Sequence, residues 1–271
     1  MGKLFTNQWL RRIAMPLLKA SAFDLSMAHP WVPKSRFRLN SFRHKGYWYH
    51  GRARELGTMR LFEELIRPQD TVVEVGGHIG FITMYLAKLV GVSGKVVVFE
   101  PGSNNLPYLR HNTRSLATVQ IVEQAVSSED GMAVLHEESL TGQNNSLVAT
   151  FQGFAKNAAH AYVDTDVCSR EVPIVSLDTF FDGVNVDFVK IDIEGHEYAA
   201  LRGAEQLLHR CHPKMMVEIQ ADQSAIYDML SELGYRLFND RMHEHRSPET
   251  LRGNVFCLHS SHAHPRGGLA V

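Results

Sequence analysis

Short apolar runs alternate with amphipathic stretches along most of the chain. Seven runs rich in branched and aromatic residues have the length of strands, at residues 71–76, 95–100, 119–125, 186–192, 214–220, 234–238 and 254–259. Five stretches with apolar residues every three or four positions predict helices, at residues 54–66, 80–90, 104–115, 197–210 and 222–233. Strands that alternate with helices predict an α/β fold with a mostly parallel sheet. A short connection between the last two strands predicts an antiparallel hairpin at the edge.

An insertion, residues 131–176, interrupts this alternation between the third and fourth strands. Within it, residues 132–136 and 172–175 predict two paired strands around a polar loop at residues 141–146. Long connections with little structure of their own are usually functional or disordered. We therefore expect the insertion to cover the substrate.

The first nineteen residues mix large apolar and basic side chains, and Pro16 interrupts any helix there. Three interpretations compete: a packing helix, a lid over the substrate, and a peripheral membrane contact through residues 3–19. The pattern favours packing over membrane contact. The chain then divides into an N-terminal helical extension, a main domain and a disordered tail, at residues 1–46, 47–259 and 260–271. The aromatic residues at 47–52 are typical of an edge strand or of the mouth of a site.

A glycine-rich turn follows the first strand of the sheet. Glu74 lies among branched apolar residues, and Gly76, Gly77 and Gly80 come before the next helix. Glycine tolerates positive φ and lets a ligand approach the backbone closely. A second acid, Glu100, ends the next strand, where a carboxylate can accept both hydroxyls of a ribose. The segment therefore predicts a nucleotide-binding unit.

The charge near this turn discriminates between nucleotides. The spacing is G-G-x-x-G, whereas the dinucleotide fingerprint is G-x-G-x-x-G. Glu74 precedes the first glycine by two residues, where its charge repels a pyrophosphate and attracts an ammonium group. S-adenosylmethionine carries an ammonium group, a sulfonium and a ribose. The sequence therefore favours S-adenosylmethionine over NAD as the ligand.

Polar side chains also follow the fourth and fifth strands of the sheet. Asp192, Glu194, His196 and Glu197 come directly after a buried-type strand, and Glu218 ends the next one. Ligands of open parallel sheets bind in the crevice beyond the carboxyl ends of the strands. These side chains are therefore candidates for catalysis, although a helix-capping role accounts equally well for Glu197.

Several motifs together resemble the FkbM-type methyltransferases. They read EVGGHIG, FEP, VSLD, KIDIEGHE and LRGA, and they begin at Glu74, Phe99, Val175, Lys190 and Leu201. The resemblance covers roughly residues 47–259. It implies the class I, Rossmann-like methyltransferase fold, with a seven-stranded, mostly parallel sheet and an antiparallel edge hairpin. It also implies S-adenosylmethionine as cofactor and, most often, methylation of a hydroxyl on a sugar, polyketide or lipid.

On this interpretation, six residues are predicted to bind the cofactor: Glu74, Gly76, Gly77, Gly80, Glu100 and Asp192. Methylation of an alcohol needs a general base. His196 is a candidate because its unperturbed pKa lies near neutrality, and Glu194 and Asp192 are rivals. The oxygens of Asp192, Glu194 and Glu218 are of the type that Mg²⁺ prefers. No metal is predicted, since the sequence does not show whether they converge.

Composition limits the partners and the compartment. The formal net charge is −1, so no overall field recruits nucleic acid, and a small-molecule, glycan or lipid acceptor is expected. Three scattered cysteines predict no disulfide framework and favour the cytoplasm. No apolar run is long enough for a transmembrane helix. No feature of the sequence specifies an oligomeric state.

Two other functional classes agree less well with the sequence. An NAD-dependent sugar-nucleotide oxidoreductase would carry a different glycine spacing and a hydride-transfer partner such as Tyr-x-x-x-Lys, and the sequence has neither. A non-catalytic, Rossmann-like binding module would be free to lose Glu74, Gly76, Glu100 and Asp192. Their presence favours an enzyme.

Overall fold

The computed structural model describes residues 15–150 and 166–262. The strands of this part of the chain are β1 (Asp24–His29), β2 (Val32–Asn40), β3 (Thr71–Val75), β4 (Lys95–Phe99), β5 (Val119–Val122), β6 (Ala125–Val126), β7 (Gly131–Glu138), β8 (Val167–Val175), β9 (Phe188–Ile191), β10 (Lys214–Ile219), β11 (Tyr235–Phe238) and β12 (Gly253–His259). The α-helices are Lys45–His50, Leu56–Leu65, Phe81–Val90, Leu106–Thr113, Leu177–Phe180, Glu197–Arg202, Glu205–Cys211 and Gln223–Glu232. Residues 15–20 are also helical.

Seven strands form one sheet in the order β11-β12-β10-β9-β3-β4-β5. Strands β10, β9, β3, β4 and β5 run parallel to one another. Strand β12 runs antiparallel to both β10 and β11, and it lies between them. The predicted α/β fold and its antiparallel hairpin are therefore confirmed, with the reversed strand one place in from the edge.

The central strands are buried on both faces. Val72 packs in one apolar cluster, with Phe62 and Phe81, whereas its neighbour Val73 packs in a second cluster on the opposite face. Strands buried on both faces read as continuous apolar runs, which explains why these strands were recognisable from the sequence. Because these strands are parallel, the polar residues at their carboxyl ends lie at one edge of the sheet.

The single helix predicted for residues 197–210 is wrong, because the chain forms two helices that meet at Gly203. A Cβ at Gly203 would lie 2.1 Å from the carbonyl oxygen of Ser127, so the backbone passes too close for any other residue. The second helix is capped by Asp178, which accepts hydrogen bonds from the N–H groups of Gln206 and Leu207. Asp178 of the VSLD motif therefore has a structural role.

The helical extension predicted for residues 1–46 is wrong for residues 24–40, which form the antiparallel hairpin of β1 and β2. The reason is a period of two: Phe37 and Leu39 are fully buried, on the same side of β2. Phe37 contacts Tyr47 and Phe81, with ring centroids 5.3 and 5.4 Å away. One core therefore crosses the predicted boundary at residue 47. An edge strand at residues 47–52 is also wrong, since Lys45–His50 is a helix.

The two predicted strands of the insertion are present. β7 and β8 pair antiparallel from Gly131 opposite Ile174 to Glu138 opposite Val167, and β6 joins the other side of β8. Residues 151–165 of the predicted cover lie outside the described residues. So do residues 3–14 of the segment considered for membrane contact, and residues 263–271 of the predicted disordered tail.

The described residues contain no helix that is long and apolar enough to cross a membrane. Cys168, Cys211 and Cys257 are free thiols, as the sequence predicted.

Candidate active site

A cavity of about 290 Å³ lies beyond the carboxyl ends of β3, β4, β9 and β10. Its wall includes seven of the eight predicted site residues: Glu74, Gly76, Gly77, Glu100, Asp192, Glu194 and His196. The cavity forms here because the carboxyl ends of parallel strands meet at one edge of the sheet. Gly80 is not part of the lining. It is the N-cap of the helix Phe81–Val90, with a φ of 85°. Its role in cofactor binding stays a prediction.

The glycine turn is folded on itself. The N–H groups of Gly76 and Gly77 both donate to the carbonyl oxygen of Phe99, at 3.0 and 3.1 Å. These amides are therefore unavailable to a pyrophosphate, which supports the choice of S-adenosylmethionine over NAD. Gly76 has a φ of 88°, and a Cβ there would lie 2.0 Å from the carbonyl oxygen of Asp192. Replacing Gly76 would disturb the fold itself, so such a variant cannot isolate cofactor binding.

Glu100 is buried, and its carboxylate is hydrogen-bonded to the glycine turn. Its carboxylate accepts hydrogen bonds from the N–H of His78 at 2.6 Å, the N–H of Gly102 at 2.8 Å and Nδ2 of Asn105 at 3.2 Å. Burial raises the pKa of Glu100 to about 7, against the opposing effect of these hydrogen bonds. Each carboxylate oxygen has two lone pairs. Oε1 already accepts two of these hydrogen bonds and Oε2 accepts one, so Oε2 can still accept one from a ribose hydroxyl.

We expect Glu100→Ala to weaken S-adenosylmethionine binding by about 1–3 kcal/mol, the range for charge-assisted hydrogen bonds. Titration calorimetry measures this change. Glu123→Ala is the matched control, because Glu123 is exposed and pairs with Arg110 away from the cavity lining. Equal affinities for a folded Glu100→Ala variant and the wild type would contradict the ribose-binding role.

A buried lysine joins the two acidic motifs. Nζ of Lys190 lies 3.1 Å from Oδ2 of Asp192 and 3.9 Å from Oε1 of Glu74, and it donates to the carbonyl oxygen of Gly76 at 3.3 Å. Lys190 is directly opposite Glu74 in the β3–β9 register. Burial disfavours the charged form of Asp192, but Lys190 overcomes this effect and lowers its pKa. Asp192 is therefore a carboxylate at neutral pH and a weak base.

Glu74 is completely buried at the base of the cavity. Its Oε2 accepts a hydrogen bond from Oγ1 of Thr83 at 2.6 Å. Its Oε1 has no hydrogen-bond partner among the described residues. Burial raises the pKa of Glu74 to about 7, although Lys190 opposes this shift. An ammonium group in the cavity would satisfy Oε1 and hold Glu74 in its charged form.

Three carboxyl groups converge in the wall of the cavity. Asp192, Glu194 and Glu218 each offer an oxygen within 4.8 Å of the other two. Nε2 of Gln220 donates to Oε2 of Glu194 at 2.7 Å and to Oε2 of Glu218 at 3.0 Å. Burial and the charge of Asp192 raise the pKa of Glu194 to about 8. Asp192 and burial raise the pKa of Glu218 to about 10, so Glu218 is protonated at neutral pH.

The neighbouring residues His196 and Glu197 differ in role. Nε2 of His196 lies 3.0 Å from Oγ of Ser127, and burial lowers the pKa of His196, so the ring is neutral. The Glu197 carboxylate accepts from the N–H groups of Ile193 and Gly195 at 3.0–3.3 Å. Glu197 is absent from the cavity lining. It therefore stabilises the turn that presents Glu194.

His78 connects the turn to two other segments. Burial lowers the pKa of His78 to about 4, so its ring is neutral. Nε2 lies 3.2 Å from the carbonyl oxygen of Thr141, which can only accept, so Nε2 carries the hydrogen. Nδ1 then accepts from the Tyr47 hydroxyl at 3.2 Å. His78 thus fixes both the helix Lys45–His50 and the insertion loop against the cavity.

The insertion loop forms part of the wall through Gln143, Asn145, Ser146 and Leu147. Hydrogen bonds hold this loop near both of its ends. Asn105 donates to the carbonyl oxygen of Gly142 at 2.9 Å, and Oγ of Ser146 donates to the carbonyl oxygen of Glu194 at 2.8 Å. Its function as a substrate cover stays a prediction.

The N-terminal part contributes residues to the site that were not predicted from the sequence. Tyr47, Arg54 and Glu55 line the cavity. The guanidinium of Arg54 lies 4.4 Å from the centre of the Tyr47 ring, and its Nε lies 3.2 Å from Oε1 of Glu55. The aromatic run at residues 47–52 was the only signal in the sequence that pointed to this part of the site.

These features fit S-adenosylmethionine. Glu74 offers an unsatisfied buried oxygen to a cation, Asp192 is ionised, and Oε2 of Glu100 can still accept from one hydroxyl group. Six carboxyl groups and two cationic side chains line the cavity: Glu55, Glu74, Glu100, Asp192, Glu194, Glu218, Arg54 and Lys190. An excess of carboxyl over cationic groups suits a ligand with a sulfonium and an ammonium group.

The amino-acid sequence matches the family model described as the methyltransferase FkbM domain over residues 74–237. The chain is 25% identical over 158 residues to the ribosomal RNA small subunit methyltransferase A of Alkaliphilus metalliredigens, covering 57% of this chain and 50% of that protein. It is 28% identical over 153 residues to the protein of the same name from Shouchella clausii, covering 55% and 48%. The chain thus spans about half the length of these curated relatives.

Among solved structures, the chain is similar to the methyltransferase FkbM of Methylobacillus flagellatus KT. The TM-score is 0.45 and the identity 16%, over 73% of this chain and 50% of that one. It is also similar to an S-adenosylmethionine-dependent O-methyltransferase of Thermotoga maritima, with a TM-score of 0.43 and 12% identity over 76% and 64%. At these identities the likeness concerns the fold alone.

Proposed function

The chain belongs to the FkbM methyltransferase family, with S-adenosylmethionine as its cofactor, and on that premise we propose that it methylates a hydroxyl of a sugar, polyketide or lipid-type acceptor. Membership of the family confirms the resemblance seen in the sequence. The observation that carries the proposal is the cluster of Asp192, Glu194 and Glu218 beside the cofactor-binding residues. An alcohol needs a base to take its proton, and this cluster supplies one with a raised pKa.

The charge of the cavity favours an acceptor without phosphate groups. The lining has three times as many acidic as basic side chains, and Arg54 and Lys190 both have carboxylate partners within 4 Å. A phosphate in this cavity would find neither cation unpaired, and the ionised Asp192 would repel it. We therefore favour an uncharged hydroxyl acceptor over nucleic acid, although the curated relatives are named as ribosomal RNA methyltransferases.

The proposed mechanism divides the work among the side chains of the cavity. When bound, S-adenosylmethionine supplies an electrophilic methyl group, so the protein mainly orients the nucleophile. Glu74, Asp192 and Glu100 bind its charged and hydroxyl groups. Glu194 accepts the proton of the acceptor hydroxyl, because a base with a pKa near the working pH is the most effective. Gln220 holds Glu194 in position through the 2.7 Å hydrogen bond.

His196 remains the principal rival base. Its Nε2 is engaged by Ser127, so only Nδ1 is left to face an acceptor. Asp192 is the weaker rival, because Lys190 stabilises its charged form. We also propose that the reaction takes place in the cytoplasm, since the three cysteines are free.

Calorimetry followed by a methyl-transfer screen tests this function. We expect S-adenosylmethionine to bind and NAD not to bind, because the amides of the glycine turn are already paired. Labelled methyl groups should then appear on hydroxylated glycans, polyketides or lipids and should be absent from ribosomal RNA. Binding of NAD, or transfer to RNA alone, would contradict the proposal. Binding without transfer to any of these acceptors would favour the non-catalytic module.

A further inference from the structure

The charge of this chain is unevenly distributed. Residues 1–54 contain eleven lysine and arginine residues and one acid, Asp24, whereas residues 55–271 contain seventeen basic and twenty-eight acidic residues. The overall net charge of −1 conceals this separation. Asp24 is itself engaged by Arg38, Asn40 and Tyr108. The N-terminal part is therefore strongly basic beside an acidic catalytic part.

The same basic part exposes large apolar side chains. Leu17 and Phe23 are 64% and 63% exposed, and Trp48 and Tyr49 are 38% and 40% exposed. Together with the exposed Arg43 and Arg52, these four residues define what we call the N-terminal face. Exposed apolar groups that are contiguous and rimmed by polar residues mark interaction sites.

Hydrogen bonds join the segments that carry the exposed apolar side chains of the N-terminal face. The N–H of Ser41 donates to the carbonyl oxygen of Phe23 at 2.8 Å, and Nε1 of Trp48 donates to the carbonyl oxygen of Ser41 at 2.9 Å. The Trp48 and Tyr49 rings lie 6.4 Å apart. Leu17 is connected through Ser21, whose N–H donates to the Leu17 carbonyl oxygen at 3.0 Å.

The N-terminal face borders the active-site cavity. Tyr47 lines the cavity, and the next two residues of the same helix, Trp48 and Tyr49, are exposed. On the other side, Leu18 packs with Phe42 and with Leu140, which leads into the insertion loop. A surface bound to this face would therefore lie close to the helix Lys45–His50 and to the insertion loop, which both contribute residues to the cavity wall.

We propose that the N-terminal face binds the surface of an anionic membrane and brings the cavity to a lipid-type acceptor. Basic residues are attracted to anionic headgroups, and tryptophan and tyrosine side chains favour the interface between headgroups and acyl chains. Leu17 and Phe23 would enter the apolar layer. RNA is the less suitable partner, because the two cationic side chains of the cavity next to the face are already paired with carboxylates. The lipid acceptor rests on the proposed function; the membrane contact does not.

Flotation of the full-length protein with vesicles tests the proposal. We expect binding to vesicles that contain phosphatidylglycerol and little binding to pure phosphatidylcholine. Arg43→Glu/Arg52→Glu and Leu17→Ser/Phe23→Ser should each weaken the binding at least about tenfold. The matched controls are Arg246→Glu/Arg252→Glu and Val92→Ser, which alter exposed residues elsewhere and should leave it unchanged.

The outcomes separate this proposal from the proposed function. S-adenosylmethionine affinity, measured by calorimetry, should be the same in all variants, which also shows that they are folded. Absence of vesicle binding, or equal losses in the control variants, would overturn the membrane contact even if methyl transfer is found. Binding of single-stranded RNA without vesicle binding, measured by fluorescence anisotropy, would assign the face to nucleic acid and overturn it as well. Failure of S-adenosylmethionine to bind would refute the proposed function alone.

Discussion

Replacing Glu194 by Gln is expected to lower turnover by about 10²–10⁴-fold and to leave S-adenosylmethionine affinity nearly unchanged. Gln has the same size and can keep a hydrogen bond to Gln220, but it cannot accept the acceptor's proton. Glu194 lines the cavity next to Asp192 without an ion pair of its own to a lysine or arginine among the described residues. Single-turnover kinetics with a saturating acceptor measures the change.

The pH dependence of turnover identifies the base independently. Burial and Asp192 raise the pKa of Glu194 to about 8, so wild-type turnover should rise with pH and level off above about 8. If His196 were the base, turnover would level off below pH 6.5, because burial lowers its pKa from that value. His196→Ala should therefore retain most of the activity.

The control for this experiment is Glu232→Gln, an exposed glutamate at the end of the helix Gln223–Glu232. Its turnover should equal that of the wild type. An active Glu194→Gln variant together with an inactive His196→Ala variant would assign the proton to His196 instead. Loss of wild-type activity on adding EDTA, restored by Mg²⁺, would make the three carboxyl groups ligands of a cation.

Replacing Lys190 by Met is expected to reduce the free energy of unfolding by about 3–5 kcal/mol, the cost of removing one partner from a buried ion pair. Lys190 is 3% exposed and compensates both Asp192 and Glu74. Without it, the fully buried Glu74 must become protonated or remain charged with no cation nearby. The carbonyl oxygen of Gly76 also loses its donor. Urea denaturation of the cofactor-free protein measures the change.

A double-mutant cycle shows whether the unpaired acid causes the loss. Glu74→Gln removes the charge at the same position, so Lys190→Met should cost less in that background than in the wild type. Lys95→Met is the matched control at the exposed start of β4, and it should alter stability by no more than about 0.5 kcal/mol. A cost below about 1 kcal/mol for Lys190→Met would contradict the role given to this ion pair.

The site was recognisable where its residues belong to local patterns. Gly76, Glu100 and Asp192 each follow a run of branched apolar residues, and the end of a parallel strand is where ligands bind. The predicted helical extension was wrong for residues 24–40, because the mixed apolar and basic pattern that suggested it lies before them. The period of two at Phe37 and Leu39 indicated a strand there.

The sequence by itself determined the positions of the sheet strands, the glycine turn and the acids beyond the strand ends. It did so because burial imposes periods of two and 3.6 residues on nearby positions. Only the tertiary structure decided which polar groups meet. Glu74 and Lys190 are opposite each other through the register of β3 on β9, and His78 joins Tyr47 to Thr141. Such contacts depend on the packing of segments far apart in the chain, which no local period specifies.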